Sequence, residues 1–181
     1  MNKLKVIGFS GSLRSKSFNN YLLNNFKEIS SDIIDLEILN ITDIPLYNED
    51  LWNNTPISVI EFKDKVKECN SIIISTPEYN YSYSGVTKNL IDWLSRNPNV
   101  LDKKVIGIMG ASIGFSGTAR AQLQLRPVLT ALNTYVLSKP EIYLSYSETK
   151  FNKDGKLIDN DTINKIKEYA EEFISFSSNF Y

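Results

Sequence analysis

Histidine is absent from this chain, and cysteine occurs once, at Cys69. Without histidine, Ser-His-Asp and Cys-His catalysis and every His-ligated metal are excluded. A lone cysteine excludes an intramolecular disulfide and any multi-cysteine zinc or iron–sulfur centre, so no metal is expected. Neither sign of charge is in excess. The 20 Lys and Arg stand against 21 Asp and Glu, for a net charge of −1. A nucleic-acid protein would need a clearly basic surface. Long hydrophobic runs are missing too. The longest uncharged stretch, Val105–Ala119, falls short of the ~18 residues of a membrane span and is rich in Gly and Ser. The opening MNKLKVIGFSGS holds only a short apolar run with no small-residue cleavage site after it, so no secretory leader is expected. These absences predict a soluble cytoplasmic protein with neither membrane nor nucleic-acid partner. No repeat, low-complexity tract or linker interrupts the 181 residues, of which 42% are hydrophobic. Residues 1–181 are therefore expected to form a single domain with a sizeable core.

What is present alternates. Leu4–Phe9, Ser71–Thr76, Lys104–Gly110 and Thr134–Ser138 are apolar without strict alternation, as strands covered on both faces are. Asp32–Leu39 alternates more and is expected nearer an edge. Between them lie helical faces: Phe18, Leu22, Phe26, Ile29; Val59, Phe62, Val66; Val86, Leu90, Trp93, Leu94; Ala121, Leu125, Val128, Leu129, Leu132. A final face comprises Ile163, Ile166, Ala170, Phe173 and Ile174. Pro127 is expected to kink or split the fourth helix. Phe151–Ile158, with a hairpin-type turn at Asp154-Gly155, reads as a small excursion. Five strands with helical crossovers predict an α/β fold: a flavodoxin-like three-layer sandwich with a five-stranded parallel sheet of order 2-1-3-4-5.

In such a sheet ligands bind where the loops after the first, third and fourth strands meet. The first loop, Ser10–Asn19, carries four hydroxyls, Gly11, Arg14 and Lys16, and opens a helix. The chain has no acidic residue before Glu28. Backbone donors, hydroxyls, cations and a helix N-terminus suit a phosphate dianion; a serine-rich loop that merely caps the helix is the plainer alternative. Neither GxxxxGK[ST] nor GxGxxG is present. The second loop, Thr76–Gly85, spaces Tyr79, Tyr81 and Tyr83 alternately. They suit either the border of a flat heteroaromatic ring or the rim of a subunit contact. The third, Gly110–Thr118, is small-residue rich and precedes a helix whose N-terminus could stabilise negative charge on a reduced ring; a glycine-rich turn without a ligand is the alternative. No acidic residue occurs from Lys103 to Pro140, which favours a phosphorylated ligand. Asp35 and Glu37 read as solvated rather than as a ribose-binding acid.

Taken together, SGSLRSKSFN after the first strand, PEYNYSYSGVTKNLIDW after the third and GASIGFSGTARAQLQLRPVL after the fourth resemble the NADPH-dependent FMN reductases. These are flavodoxin-like enzymes that include many quinone, chromate and azo-dye reductases. Order and spacing hold over most of the chain, down to FNKDGKL before the last helix. The resemblance implies FMN as cofactor, NADPH or NADH as electron donor, and ping-pong two-electron reduction of quinones or similar acceptors, or of flavin. It implies that Ser10, Ser12, Arg14, Ser17, Phe18 and Asn19 enclose the FMN phosphate and the start of the ribityl chain. Pro77, Glu78, Tyr79 and Asn80, with Tyr81, would border the isoalloxazine, largely through backbone groups, and Ser112 and Gly114 would approach it from the third loop. Hydride chemistry at flavin N5 needs no catalytic side chain, so none is assigned. Members are usually homodimers or homotetramers. The chain departs from the family at Ser84, often proline, at Thr87, often leucine, and at Phe115 and Ser116, where glycines are frequent. The rival reading is a flavodoxin-like electron carrier without NAD(P)H turnover of its own. Flavodoxins tend to be strongly acidic and lack an equivalent of Arg14.

Overall fold

A computed structural model describes residues 3–181 of the chain. In chain order the elements are β1 (Leu4–Ser10), α1 (Phe18–Ile29), β2 (Ile34–Ile38), α2 (Ile57–Glu68), β3 (Ser71–Ser75), β4 (Glu78–Tyr79), β5 (Ser82–Tyr83), α3 (Gly85–Ser95), β6 (Val105–Ala111), α4 (Ala119–Ala131), β7 (Tyr135–Val136), β8 (Ile142–Leu144) and α5 (Asn160–Ser178). Short 3-10 turns occupy Glu49–Asn54 and Ser147–Thr149.

The main sheet runs β2-β1-β3-β6-β7, with β8 also paired to β6, and every pairing is parallel. Counting β6 as the fourth strand, this is the expected 2-1-3-4-5 order. Alternate side chains of one strand feed opposite layers because successive Cβ atoms point to opposite faces. Val6, Ile73 and Met109 join Leu22, Phe26, Tyr169 and Phe173 beneath α1 and α5. Ile7, Ile72, Ile74, Ile106 and Ile108 join Phe62, Leu90, Leu94 and Leu125 beneath α2, α3 and α4. Two full layers explain why these strands read as unbroken apolar runs. β2, at the edge, keeps Ile34 and Leu36 buried and leaves Asp35 and Glu37 exposed.

Three local expectations need correction. The fifth strand position is shared: β7 pairs with Val105–Ile106, and β8, unforeseen in the sequence, pairs with Met109–Ala111. The segment between them contains Pro140, which has no N–H to give the ladder. Pro127 does not split α4, which continues through it. The carbonyl it deprives of a donor belongs to Leu123, an exposed residue, so water can serve it. The tyrosine segment is not open loop but a tight antiparallel hairpin, β4 against β5, turned by Asn80 and Tyr81 at φ 47° and 68°. Two consecutive positive φ values are the signature of a type I′ turn, whose twist matches that of paired strands. The tail Phe151–Ile158 is the expected small excursion with a hairpin-type turn: Phe151 bridges Leu157, and Gly155, at φ +78°, lies so close to the Tyr21 ring that a Cβ would stand 2.5 Å from it.

Candidate active site

Strand order reverses between β1 and β3, and the two strands and β6 end in register there. Gly11 donates to the Ser75 carbonyl at 2.8 Å, and Thr76 to the Met109 carbonyl at 3.0 Å. The three unusual loops therefore leave from one place.

The first loop offers donors that the protein does not use. Among the described residues, the backbone N–H groups of Ser12, Leu13, Ser15, Lys16 and Phe18 have no acceptor in the chain. Ser12 Oγ accepts from Arg14 N, and Ser17 Oγ, the N-cap of α1, accepts from Asn19 N at 3.2 Å. Neither hydroxyl donates its proton to a protein group, although both residues are buried. Ser10 Oγ is buried with no partner at all. Arg14 lies over the Phe18 ring, 5.6 Å from its centroid, and neither Arg14 nor Lys16 forms an ion pair among the described residues. Buried polar groups normally find partners. A set of unspent donors beside two unpaired cations at a helix N-terminus fits a phosphate group.

Asn19 is spent differently. Its Nδ2 donates to the Ala111 carbonyl at 3.0 Å, its Oδ1 accepts from Ala111 N at 2.9 Å, and Ser75 Oγ donates to its backbone carbonyl at 3.0 Å. The side chain closes the end of β6 as another strand would. It fixes α1 and the serine loop against β3 and β6 with one of its two Nδ2 hydrogens.

The Glu78 side chain is committed too, which leaves its backbone for the ring border expected of it. Its carboxylate accepts from Arg120 N at 3.1 Å and from Ala121 N at 3.4 Å, and it pairs with Arg120 Nη1 at 2.8 Å. Ser116 Oγ donates to it at 3.3 Å. Thr118 precedes α4 in the left-handed region and makes no capping bond. Glu78 supplies the cap instead. The N-terminus of α4, expected to stabilise a reduced ring, is already neutralised by this carboxylate. Only the backbone of Glu78 remains for a ligand.

The hairpin and the third loop form an aromatic rim. The Arg120 guanidinium lies 4.2 Å from the Tyr81 ring centroid and 5.5 Å from that of Phe115. Tyr79, Tyr81, Ile113 and Phe115 are all more than half exposed. Gln124 Nε2 donates to the Tyr81 carbonyl at 2.8 Å. Ser112 is anchored by Leu144 and Ser147, its N–H to one carbonyl at 2.9 Å and its carbonyl accepting the Ser147 hydroxyl at 2.9 Å. Gly114 lies in the open; a Cβ there would meet only Ser112 Oγ, at 3.6 Å.

Sequence reading passed over the floor of the site. Ser75, Thr76, Ser84 and Thr87 are buried under the loops; hydrogen bonds join Thr76, Thr87 and Ser84 to one another, and Ser75 to Asn19. The only sequence signal was the pair of departures at Ser84 and Thr87. A cleft of about 410 Å3 flanks the serine loop, lined by Ser10, Ser12, Ser15 and the post-β2 residues Asn40 and Thr42. That second wall was not anticipated. A larger cavity, about 560 Å3, lies at the opposite ends of the strands around Leu4, Lys5 and Asn70. Volume alone would select it, but the cluster of unspent donors from Ser10 to Phe18 lies at the loops.

Against known proteins, the model of the family described as NADPH-dependent FMN reductase matches residues 4–149. An NAD(P)H-dependent FMN reductase of Pseudomonas aeruginosa is 42% identical over 159 residues, 87% of this chain and 86% of that protein. An NAD(P)H:quinone oxidoreductase of Solanum tuberosum is 39% identical over 171 residues, 91% of this chain and 88% of that one. Among solved structures, FerB, a flavoenzyme NAD(P)H:(acceptor) oxidoreductase from Paracoccus denitrificans, superposes with a TM-score of 0.91 at 32% identity, covering 98% of both chains.

Proposed function

Because this chain belongs to the NADPH-dependent FMN reductase family, we propose that it is an FMN-dependent NAD(P)H oxidoreductase that reduces quinones or similar small acceptors. The single observation that carries the reading is the serine loop, where buried hydroxyls and backbone N–H groups without protein partners stand beside the unpaired Arg14. Residues 1–181 act as one FMN-binding unit.

In this reading Arg14 neutralises the phosphate, and the hydroxyls and N–H groups of Ser12 and Ser17 donate to it. Ser10 lines the adjoining cleft, and Phe18 supports the Arg14 guanidinium from below. The backbone of Pro77, Glu78, Tyr79 and Asn80 borders the ring, with Tyr81 at the rim. Ser112 and Gly114 approach from the other side, where the absence of a side chain at Gly114 leaves room. Asn19 braces the serine loop against β6, and the Glu78 carboxylate caps α4, so both hold these groups in position. The chemistry FMN supplies when bound is two-electron transfer between NAD(P)H and the acceptor. The protein's share is binding and orientation, which suits a chain with no histidine. A second copy of the chain covers the exposed Tyr81, Phe115 and Leu123 beside the site, giving a homodimer or homotetramer.

The test is direct. The purified protein should bind FMN with a shifted flavin spectrum, and anaerobic mixing with NADPH in a stopped-flow instrument should bleach the flavin bands, which a quinone then restores. Flavin that binds but stays oxidised would reassign the protein as a carrier. No flavin binding would overturn the cofactor assignment itself.

A further inference from the structure

Beneath the site, three buried hydroxyls form a chain whose direction the geometry dictates. Ser84 Oγ lies 2.6 Å from the Gly11 carbonyl, 3.0 Å from Thr87 Oγ1 and 3.1 Å from Thr87 N. Thr87 Oγ1 lies 3.1 Å from Thr76 Oγ1. A carbonyl can only accept, so the one Ser84 proton goes to Gly11. The contact between Ser84 and Thr87 must then use the Thr87 proton. The Thr87 proton being spent, the contact between Thr87 and Thr76 draws on the Thr76 proton, shared between Thr87 Oγ1 at 3.1 Å and the Pro77 carbonyl at 3.2 Å. Donation therefore runs from Thr76 through Thr87 and Ser84 to Gly11, from the root of the hairpin to the root of the serine loop. All three hydroxyl residues are buried, and such chains polarise one another in a low dielectric.

The end of this chain matters because a peptide unit is rigid. The Gly11–Ser12 bond is trans, as it is not among the cis bonds of the chain, so the Gly11 carbonyl and the Ser12 N–H point in opposite directions. With the carbonyl held against Ser84, the Ser12 N–H must point away from α3, where no protein group accepts it. Gly11 itself is clamped: its N–H is bound to Ser75, and a Cβ would stand 1.9 Å from Thr87 Oγ1.

We propose that Ser84, supported by Thr87 and Thr76, is a positioning residue that aims the Ser12 N–H at the phosphate of the bound flavin. The proposal rests on the FMN reading above and adds residues from α3 and the hairpin root to the phosphate site. It makes a selective demand. The phosphate is the only part of FMN that riboflavin lacks, so disturbing the chain must weaken FMN and spare riboflavin.

The experiment titrates flavin-free protein with FMN and, separately, with riboflavin by fluorescence quenching. Ser84→Ala should lower FMN affinity on the order of tenfold, the worth of one hydrogen bond to a charged group. It should change riboflavin affinity by no more than about twofold, within ordinary context effects. Ser84→Thr restores the hydroxyl and should restore the FMN preference. Thr87→Val keeps the Ser84 cap on α3 while removing the donor behind it, and should shift FMN affinity in the same direction by less. It also serves if Ser84→Ala does not fold. Equal losses for both flavins, or an unchanged FMN preference in Ser84→Ala and Thr87→Val, would overturn the proposal. A wild-type protein that binds neither flavin, or binds both alike, defeats instead the reading of the serine loop as a phosphate site.

Discussion

Replacing Asn19 by alanine separates a ligand contact from a structural brace. The family pattern puts this residue at the phosphate. The structure commits its side chain to Ala111, whose N–H and carbonyl it satisfies at 2.9 and 3.0 Å. Ala111 is only 3% exposed and Asn19 is equally buried, so truncation orphans two backbone groups at once. Each unsatisfied group costs about 1–3 kcal/mol, about 2–6 kcal/mol together. The lower end applies if water enters the space left by the amide. Ser75 retains its bond to the Asn19 backbone carbonyl and adds nothing to the loss. Domains of this size are stable by about 5–15 kcal/mol, so the variant should show a large shift. Urea unfolding followed by tryptophan fluorescence, with flavin removed, should give a lower midpoint at unchanged slope. Asn19→Asp should be no better, since it loses the donor to the Ala111 carbonyl and buries a charge. If the flavin-free Asn19→Ala protein unfolds on the wild-type curve and only FMN affinity drops, the brace argument is wrong and the residue is a cofactor contact after all.

Glu78→Ala removes the cap of α4 and the partner of Arg120; an expected loss of about 1–3 kcal/mol is checked by thermal unfolding, with faster hydrogen exchange at the Arg120 and Ala121 amides marking the site. Arg14→Ala should weaken FMN by roughly tenfold or more through loss of a charge-assisted contact while leaving the unfolding midpoint of the flavin-free protein in place; an unchanged FMN titration would remove Arg14 from the phosphate site. At the start of α5, Asp159 accepts from the Thr162 hydroxyl and pairs with Lys150 at 2.9 Å, which holds its carboxyl at about 2 against an ordinary 3.8. Its folded form is thus the easier to ionise, and the stability it contributes is complete above pH 3.8 and drains away as pH falls toward about 2. Asp159→Asn should flatten the acid limb of a stability–pH curve in that window, and an identical limb in both proteins would show that this carboxylate is not the titrating group.

Much of the fold is legible in the sequence. The β1, β3 and β6 runs lie in an apolar register that only doubly covered strands adopt, and Phe18–Ile29 and Asn160–Ser178 carry their periods openly. Period and local steric preference belong to neighbouring residues, so the chain itself settles them, and with them the order of loops at the switch point. The chemical types available there, serines and an arginine far from any carboxylate, were equally plain. Partners were not. Asn19 meets Ala111 across 92 residues, Arg120 meets Glu78 across 42, and Ser84 meets Gly11 across 73. A hydrogen bond needs a donor and an acceptor within about 3 Å and in line, and no spacing along the chain encodes that distance. Only the folded sheet, by bringing three loop roots to one edge, decided that the Asn19 side chain closes β6, that the Glu78 carboxylate caps α4, and that the Ser84 hydroxyl holds the Gly11 carbonyl.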